Sequence, residues 1–378
     1  MGALADVKIA DFSWVGAGPR ATKDLADNGA IVVKIESRRR LDLGRMSPPF
    51  AGDPKDFNGS AFFAQTNTSK LGVTINLADP RGVEAAKRLV AWADVVVENF
   101  GPGFMDRIGL GYDVLRQIKP DIILASVSVA GKTGPMSGFR GYGNSAAAHS
   151  GHAWLTGNAD QPPHMPPLAY GDVVAPMFLT VAILAALEHR ARTGQGQHLD
   201  ISQIEPMIHV ISDLYAQDAP AKTGNEDDSF LLHGVFPALG QDQWIAIVLE
   251  NAGQAEALKA ELGIADVEHA AVAAATVGHD KLDLFERLSA AGVPAGPVLD
   301  GKGVAENPEL LSAGHFLRVD HPVLGLSSMP SPPYQLHGTP AKVRRAPLLG
   351  EHNREVFVDM LGLSCDEFEA LAGEGVLA

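Results

Sequence analysis

Short apolar runs alternate with amphipathic stretches through the first third of the chain. The runs are continuous in Val, Ile and Leu instead of alternating with polar residues, which is typical of parallel strands covered on both faces. This pattern predicts an α/β fold with a doubly wound parallel sheet. The predicted strands span residues 7–15, 30–36, 72–77, 94–99 and 121–129.

Helix-start and helix-end signals occupy the intervals between these runs. Pro19 stands at the predicted first position of one helix, which Asn28 and Gly29 end, and the Asp79-Pro80 pair begins the next helix. A third short helix is predicted over residues 111–119.

The remaining sequence indicates three segments. A stretch rich in Gly, Pro and Ser leads into an apolar helix, a polar linker covers residues 216–230, and a predicted hairpin and alanine-rich helices follow. We predict a large domain over residues 1–215, a smaller α+β domain over 216–312, and a proline-rich segment, 313–378, that returns to the large domain.

Charge and composition limit the class of protein. The 378 residues carry a net charge of -15, which disfavours nucleic acid and anionic membranes as partners. The longest apolar run, residues 173–187, is short for a membrane span and contains Pro176. A single cysteine, Cys365, fits a reducing compartment. We expect a cytoplasmic protein with no membrane or nucleic-acid partner.

The turn after the first strand resembles a phosphate-binding fingerprint. Residues 16–21 read Gly-Ala-Gly-Pro-Arg-Ala, and Glu36 ends the second strand, which makes the sheet Rossmann-like. Directly after it, Ser37 precedes three arginines, 38–40, and guanidinium groups bind phosphates through paired, charge-assisted hydrogen bonds. A phosphorylated ligand and a solvated basic surface are both consistent with this cluster.

A carboxylate begins the most apolar helix. Asp172 follows Gly171 at the end of the glycine-rich stretch. As a cap it would accept hydrogen bonds from free backbone N–H groups at the helix start. Alternatively, it would be a partly desolvated carboxylate with a raised pKa, able to act as nucleophile or base.

Other motifs give weaker signals. Residues 129–133 read VAGKT, but Ser126 stands where a phosphate loop needs its first glycine. His149 and His152 are three residues apart without a carboxylate at ligand spacing, and no nucleophile elbow occurs. We expect no metal site and no permanently bound cofactor.

Taken together, the motifs resemble the class III CoA-transferases, the superfamily that includes formyl-CoA transferase, carnitine CoA-transferase and α-methylacyl-CoA racemase. The resemblance runs nearly end to end. It is carried by the motifs DFSWVGAGP, VVKIE, VVVENFGPGFMDRIGLGYD, ILASVSVAG, ILAALEHRARTGQGQHLDIS, GVPAGPV, HPVLG and APLLGEHN. The glycine turn then implies a site for the adenine nucleotide of coenzyme A, which is a substrate and not a resident cofactor.

The resemblance implies a set of site residues. Its catalytic aspartate falls on Asp172, and Gly16, Tyr142 and His233 are tentative members of the acid-binding pocket. The implied CoA contacts are Trp14, Val15, Ala17, Arg38, Lys70, Asn99, Phe100, Arg107 and Arg140.

The resemblance also implies a covalent mechanism. Asp172 would attack an acyl-CoA donor, such as succinyl-CoA, to form an aspartyl anhydride, then an aspartyl-CoA thioester that an acceptor carboxylate resolves. Family members form interlocked dimers, so a homodimer or a heterodimer with a related subunit is expected.

Departures from the family leave alternatives open. A racemase would use a histidine as its base, but Tyr142 stands at that position. Gly143 replaces a glutamate and Gly16 a glutamine of formyl-CoA transferase, and a tetraglycine loop is missing near residues 225–240, which disfavours oxalate and formyl-CoA. Larger acids, such as benzylsuccinate, fit the motifs better. A non-catalytic CoA-binding subunit is a further alternative, disfavoured because Asp172 is present.

Overall fold

The structure is a computed structural model that describes residues 2–53, 56–216, 221–225 and 227–378. The chain divides into two compact units. The first unit consists of Met1–Ala153, Met165–Ala216 and Leu311–Ala378, and the second of Trp154–His164 and Gln217–Leu310.

The first unit contains a six-stranded sheet in which every pair of neighbours is parallel. Its strands are β1 (Lys8–Asp11), β2 (Ile31–Glu36), β3 (Leu71–Thr74), β4 (Val95–Glu98), β5 (Ile123–Ser128) and β6 (His198–Ser202). Their order is β3-β2-β1-β4-β5-β6, so the direction of winding reverses between β1 and β4. The predicted parallel α/β sheet is confirmed, and β6 is an additional strand. Its side chains are partly exposed, so it lacks the continuous apolar run of the other five.

Helices follow the strands of the first unit. They are α1 (Ala17–Asp27), α2 (Ala61–Thr66), α3 (Pro80–Trp92), α4 (Phe104–Arg107), α5 (Tyr112–Ile118), α6 (Gly143–His149), α7 (His152–Leu155), α8 (Gly171–Thr193) and α9 (Ile204–Val210), with 3-10 turns at Leu43–Met46 and Leu214–Ala216.

Both faces of this sheet are covered by separate apolar clusters. Successive residues of β2 point to opposite faces, because Val33 belongs to one cluster and Val32 to the other. Leu89 of α3 packs in the cluster of Val33. Leu25 of α1 and Leu179 of α8 pack in the cluster of Val32. The continuous apolar strands therefore reflect burial on both sides.

Helix starts follow the expected chemistry with one shift. Asp79 accepts a hydrogen bond from the Arg81 N–H and places Pro80 at the first position of α3, as predicted. In contrast, α1 begins two residues before Pro19. Proline is tolerated there because the first-turn N–H groups have no partner within the helix.

Helix α8 is long and apolar enough to cross a membrane by length and composition alone, and 39% of its apolar window is buried. Leu179 and Ile183 are fully buried against the sheet. Its buried side therefore belongs to the core of the first unit.

The second unit is an antiparallel sheet with helices. Its strands are β7 (Leu232–Pro237), β8 (Trp244–Leu249) and β9 (Ala295–Val298), in that order, and its helices are α10 (Ala252–Leu262), α11 (His269–Thr276), α12 (Lys281–Ala290) and α13 (Gly301–Ala305). Phe236, Ile245 and Ile247 form its core together with Leu258 and Leu284. The predicted hairpin is β7–β8.

The chain then continues into the first unit. The elements are α14 (Pro308–Ser312), an antiparallel hairpin of β10 (Phe316–His321) and β11 (Gly325–Pro330), a π-helical turn at Glu355–Met360 and α15 (Cys365–Gly373). The Thr74 N–H donates to the Asn353 side chain (2.8 Å), and Phe357 is fully buried in the apolar cluster of Val33. Residues from Asn353 onward thus complete one face of the parallel sheet.

We expect Leu89→Ala to destabilise the first unit by about 2–5 kcal/mol, because it removes a fully buried side chain and leaves a cavity. Glu84→Ala, on the exposed side of the same helix, serves as the control and is expected to change stability by less than about 0.5 kcal/mol. Urea unfolding followed by circular dichroism measures both. Equal unfolding midpoints for the two variants would contradict this packing.

Candidate active site

A cavity of about 910 Å³ lies in the first unit, where the strand ends on both sides of the β1/β4 reversal meet. This is the place where open α/β sheets bind ligands. The segments that follow β1, β2, β4 and β5 all contribute to its lining, as the strand order predicts. The lining residues used below are Trp14, Val15, Gly16, Arg39, Arg40, Asn99, Phe100, Phe104, Arg107, Ser128, Val129, Phe139, Arg140, Tyr142, Asp172 and Gln203.

The turn after β1 has a backbone conformation that is unusual for its sequence. Val15 has φ +65°, a left-handed conformation that β-branched residues rarely adopt. Two side chains fix the turn. Asn99 Oδ1 accepts the Trp14 N–H (2.8 Å) while its Nδ2 donates to the Trp14 carbonyl (2.6 Å), and Asp42 Oδ1 accepts the Val15 N–H (2.9 Å). The strain is thus held by specific contacts at the cavity wall.

Asp42 is itself fixed by a buried charge. Lys34 Nζ lies 2.9 Å from Asp42 Oδ2, and both side chains are buried. Burial alone would lower the pKa of Lys34, but the negative charges of Asp42 and Asp11 outweigh it and raise its pKa above the ordinary value. The lysine therefore stays charged beneath the turn, where it donates to Asp42 Oδ2 while Asp42 Oδ1 accepts the Val15 N–H.

Asp172 lies in the first turn of α8 and faces the cavity. Its Oδ2 accepts the Gly143 N–H (3.1 Å), and its Oδ1 accepts from Gln203 Nε2 (2.7 Å). Both donors belong to other elements than α8, so the capping interpretation of this aspartate is wrong. Burial raises the pKa of Asp172, and the two donors and the Arg20 charge offset only part of that shift.

Two glycines permit this packing around Asp172. A Cβ on Gly143 would lie 2.9 Å from Asp172 Oδ2, and a Cβ on Gly16 would lie 3.3 Å from Asp172 Cβ. At Gly143 any side chain would require the backbone to move. Two of the departures from formyl-CoA transferase, at positions 16 and 143, therefore lie where a side chain would meet the candidate catalytic carboxylate.

The sequence analysis did not identify Gln203 as a site residue. It directly follows β6, and its backbone N–H donates to the Ser128 carbonyl (2.9 Å) at the end of β5. The signal that could have found it is the weakly apolar strand HLDIS, because residues just beyond the carboxyl end of a parallel strand face the ligand crevice.

Most of the predicted site residues come together at this cavity. Trp14, Val15, Gly16, Asn99, Phe100, Arg107, Arg140, Tyr142 and Asp172 all line it. The rings of Trp14 and Phe100 meet edge to face with centroids 5.5 Å apart, and the Arg40 guanidinium lies 5.7 Å from the Trp14 ring. The cavity thus combines an aromatic wall with cationic groups.

Two of the predicted residues are buried in the protein instead. Ala17 is buried in the apolar cluster that α1 shares with the sheet. Lys70 Nζ is fully buried and donates to Asp11 Oδ2 and to the Pro19 carbonyl, each at 2.9 Å. Burial would raise the pKa of Asp11, but Lys70 and Lys34 hold it below the ordinary value. Lys70 therefore neutralises a buried carboxylate beneath α1.

Arg38 and His233 are not among the described residues that line the cavity. Arg38 donates to the Leu349 carbonyl (3.2 Å), whereas its neighbours Arg39 and Arg40 line the cavity. His233 belongs to β7 of the second unit, where its Nδ1 lies 3.1 Å from the Asn225 carbonyl. The sequence located the arginine cluster but not which arginines turn toward the cavity.

The histidine pair of the sequence analysis makes aromatic contacts. The His149 ring lies 4.5 Å from that of Phe139, and the His152 ring lies 5.4 Å from that of Tyr170. Within residues 2–53, 56–216, 221–225 and 227–378, no group of three or more His, Cys, Asp or Glu side chains could hold a metal ion.

Comparison with known proteins gives consistent matches. The family model described as CoA-transferase family III matches residues 4–353. The succinyl-CoA:glutarate CoA-transferase of Mus musculus is 31% identical, covering 99% of this chain and 90% of the mouse protein. The formyl-CoA:oxalate CoA-transferase of Streptomyces coelicolor is 30% identical and covers 99% of both chains.

A further relative and a solved structure extend these matches. The succinyl-CoA:mesaconate CoA-transferase of Haloarcula marismortui is 34% identical, covering 94% of this chain and 96% of the relative. A crystal structure of a CAIB/BAIF family protein from Brucella suis superposes with a TM-score of 0.87 at 28% identity, covering 95% of this chain and 99% of the other. The fold of the whole chain is therefore shared with that protein.

We expect the Asp172 carboxyl to titrate above the ordinary range of aspartates, because burial disfavours its charged form. Gln203→Met removes a hydrogen bond that stabilises the charged form, so the pKa of Asp172 should rise further. Titration of the carboxyl carbon by ¹³C NMR, assigned with an Asp172→Asn sample, measures both values. Gln117→Met, exposed on α5, is the control. A lower pKa in Gln203→Met would contradict this geometry.

Proposed function

The chain belongs to CoA-transferase family III, and we propose that it moves coenzyme A from an acyl-CoA donor to a carboxylic acid through covalent intermediates on Asp172. The observation that carries this proposal is the buried Asp172 carboxylate, held by two hydrogen-bond donors in the wall of the cavity at the sheet reversal. A carboxylate in that environment is partly stripped of water, as a nucleophile in acyl transfer needs to be.

The cavity offers distinct surfaces for the parts of coenzyme A. The rings of Trp14 and Phe100 would pack against the adenine, as aromatic surfaces do with bases. Arg39, Arg40 and Arg107 would pair with its phosphates, because guanidinium groups match phosphate oxygens. The pantetheine arm would then run along the cavity toward Asp172.

The first half of the reaction loads coenzyme A onto the enzyme. An Asp172 oxygen attacks the thioester carbonyl of the donor, the carbon–sulfur bond breaks, and an aspartyl anhydride and CoA thiolate form. The thiolate then attacks the Asp172 carbonyl carbon, which breaks the anhydride and releases the donor acid. The product is an Asp172–CoA thioester.

The second half reverses these steps with another acid. The acceptor carboxylate attacks the Asp172–CoA thioester and expels the thiolate, which then attacks the acyl carbon of the new anhydride and frees Asp172. Neither half includes hydrolysis, so the free energy of the donor thioester is kept in the product thioester. The Gly143 N–H and the Gln203 amide, which already donate to the carboxylate oxygens, would stabilise negative charge on the Asp172 carbonyl oxygen in each tetrahedral adduct.

The racemase alternative has less support. It requires a base at the α-carbon, and Tyr142, which lines the cavity at the corresponding position, carries a phenol that is a weak base at neutral pH. His149 and His152 pack on aromatic rings, and neither is among the described residues that line the cavity.

Succinyl-CoA is the donor that we propose. Succinyl-CoA appears in the names of several similar proteins. These names pair it with glutarate, mesaconate or D-citramalate as the second substrate. We propose a cytoplasmic enzyme in which coenzyme A is a substrate and no cofactor is permanently bound.

An interlocked dimer, of two identical chains or of two related subunits, is part of the same proposal. One side of α8 carries exposed apolar side chains, with Met177 57%, Val181 66% and Leu184 40% exposed. A second subunit covering this side would remove apolar surface from water.

Asp172→Asn is expected to reduce CoA transfer by about 10³-fold or more, because the amide cannot form the anhydride. The measurement is exchange of CoA between succinyl-CoA and a panel of carboxylic acids. Asp113→Asn, exposed in the first turn of α5, is the control and should retain activity.

Trapping separates this mechanism from its alternatives. The parent protein incubated with acyl-CoA and hydroxylamine should yield a hydroxamate at Asp172 by mass spectrometry. Deuterium exchange at the α-carbon of an acyl-CoA, without CoA exchange, would support the racemase instead. Transfer at the parental rate by Asp172→Asn would exclude the proposal.

Neighbouring arginines allow a matched test of CoA binding. Arg40→Ala should raise the Kd of CoA about three- to tenfold at low salt, a modest effect because exposed charges are screened. Arg38→Ala should have a smaller effect, since Arg38 donates to the Leu349 carbonyl. Calorimetric titration with CoA measures both, and a larger loss for Arg38→Ala would contradict the placement.

A further inference from the structure

Two buried polar atoms in the cavity wall have no hydrogen-bond partner within the part of the chain that the structure describes. They are Ser128 Oγ and Gln203 Oε1. The Gln203 side chain belongs to a residue that is only 5% exposed, and both residues line the cavity with Asp172. Buried polar atoms are normally paired, and each unpaired one costs about 1–3 kcal/mol.

The two atoms come from neighbouring positions. Ser128 ends β5 and Gln203 follows β6, and the Gln203 N–H donates to the Ser128 carbonyl (2.9 Å). The orientation of the Gln203 amide is set by Asp172, because a carboxylate only accepts and therefore faces Nε2. Oε1, the other atom of that amide, is thus left without a donor directly beside the carboxylate.

The chemistry of this pair selects one kind of group. Gln203 Oε1 only accepts a hydrogen bond, whereas the Ser128 hydroxyl both donates and accepts. A hydroxyl group is complementary to both atoms, because it can give its hydrogen to Oε1 and can accept from Ser128 Oγ. A second carboxylate has no hydrogen for Oε1, and an alkyl group would leave both atoms unpaired.

We propose that the acceptor acid at this site is an α- or β-hydroxy carboxylic acid, an inference that rests on the proposed transfer reaction. The reacting carboxyl group must come within about 3–3.5 Å of an Asp172 oxygen. A hydroxyl bound to the amide that holds Asp172 must therefore be close to that carboxyl group along the carbon chain. The hydroxyl orients the acid and is not consumed.

The experiment compares acids that differ only by the hydroxyl. Lactate is paired with propionate, and 3-hydroxybutyrate with butyrate, as acceptors of CoA from succinyl-CoA. The parent enzyme should favour the hydroxy acid of at least one pair about tenfold or more in kcat/KM, since a site built to pair a hydroxyl rejects the analogue that lacks it.

Ser128→Ala is the informative variant. It should reduce that preference about three- to tenfold, the contribution of one neutral hydrogen bond. Ser126→Ala is the matched control on the same strand. Its Oγ pairs with His198 Nε2 (3.0 Å) and is not among the described cavity-lining atoms, so the preference should stay unchanged.

Binding to the parent enzyme with free CoA and no acyl-CoA donor separates this inference from the transfer reaction itself, and it keeps the Asp172 carboxylate that orients the Gln203 amide. With CoA present, the hydroxy acid should bind more tightly than its unsubstituted partner by calorimetry, whether or not the parent transfers CoA. Equal binding and equal kcat/KM within both pairs would overturn the inference and leave the transferase intact. If Ser128→Ala weakens the binding of CoA and leaves acid selectivity unchanged, the two unpaired atoms bind the pantetheine arm of CoA instead. That result would also overturn the inference.

Discussion

The site depends on keeping one carboxylate buried but hydrogen-bonded. Burial of Asp172 disfavours its charged form, while the Gly143 N–H and the Gln203 amide favour it, and the net result is a raised pKa. A fully buried, unpaired carboxylate would be neutral and unreactive, and a solvated one would expose any acylated form to hydrolysis. The intermediate environment of Asp172 is the one that suits the covalent transfer proposed here.

The turn after β1 forms part of the cavity wall beside this carboxylate. The strained turn at Val15 directs the chain toward Gly16, whose missing side chain allows contact with Asp172. Hydrogen bonds to Asn99 and Asp42 hold this turn in its strained conformation. Asp42 is fixed in turn by its ion pair with the buried Lys34. Buried ion pairs contribute little net stability, because desolvation offsets their attraction. The Lys34–Asp42 pair is better understood as a device that fixes the turn.

The site is formed by a few residues because neighbouring parallel strands end at the same edge of the sheet. The turn at Val15 follows β1, Asn99 follows β4, and Ser128 ends β5, so all three lie at one edge of the sheet. Gln203, which follows β6, lies at the same edge. The glycines at positions 16 and 143 leave room beside Asp172 that larger residues would fill. The space and the unpaired polar atoms together form the surface on which an acid would be selected.

The apolar runs and their order along the chain determined the parallel α/β sheet, the edge where ligands bind and the residue types that meet there, because strand direction places all carboxyl ends together. The family resemblance named Trp14 and Asn99, which lie in segments that follow two of these strands, and Asp172 was named at the start of the most apolar helix. Tertiary structure alone decided which two of three adjacent arginines line the cavity, that Lys70 neutralises Asp11, and that Gln203 holds Asp172. Those outcomes depend on side-chain direction and on contacts between residues distant in sequence, which local patterns do not encode.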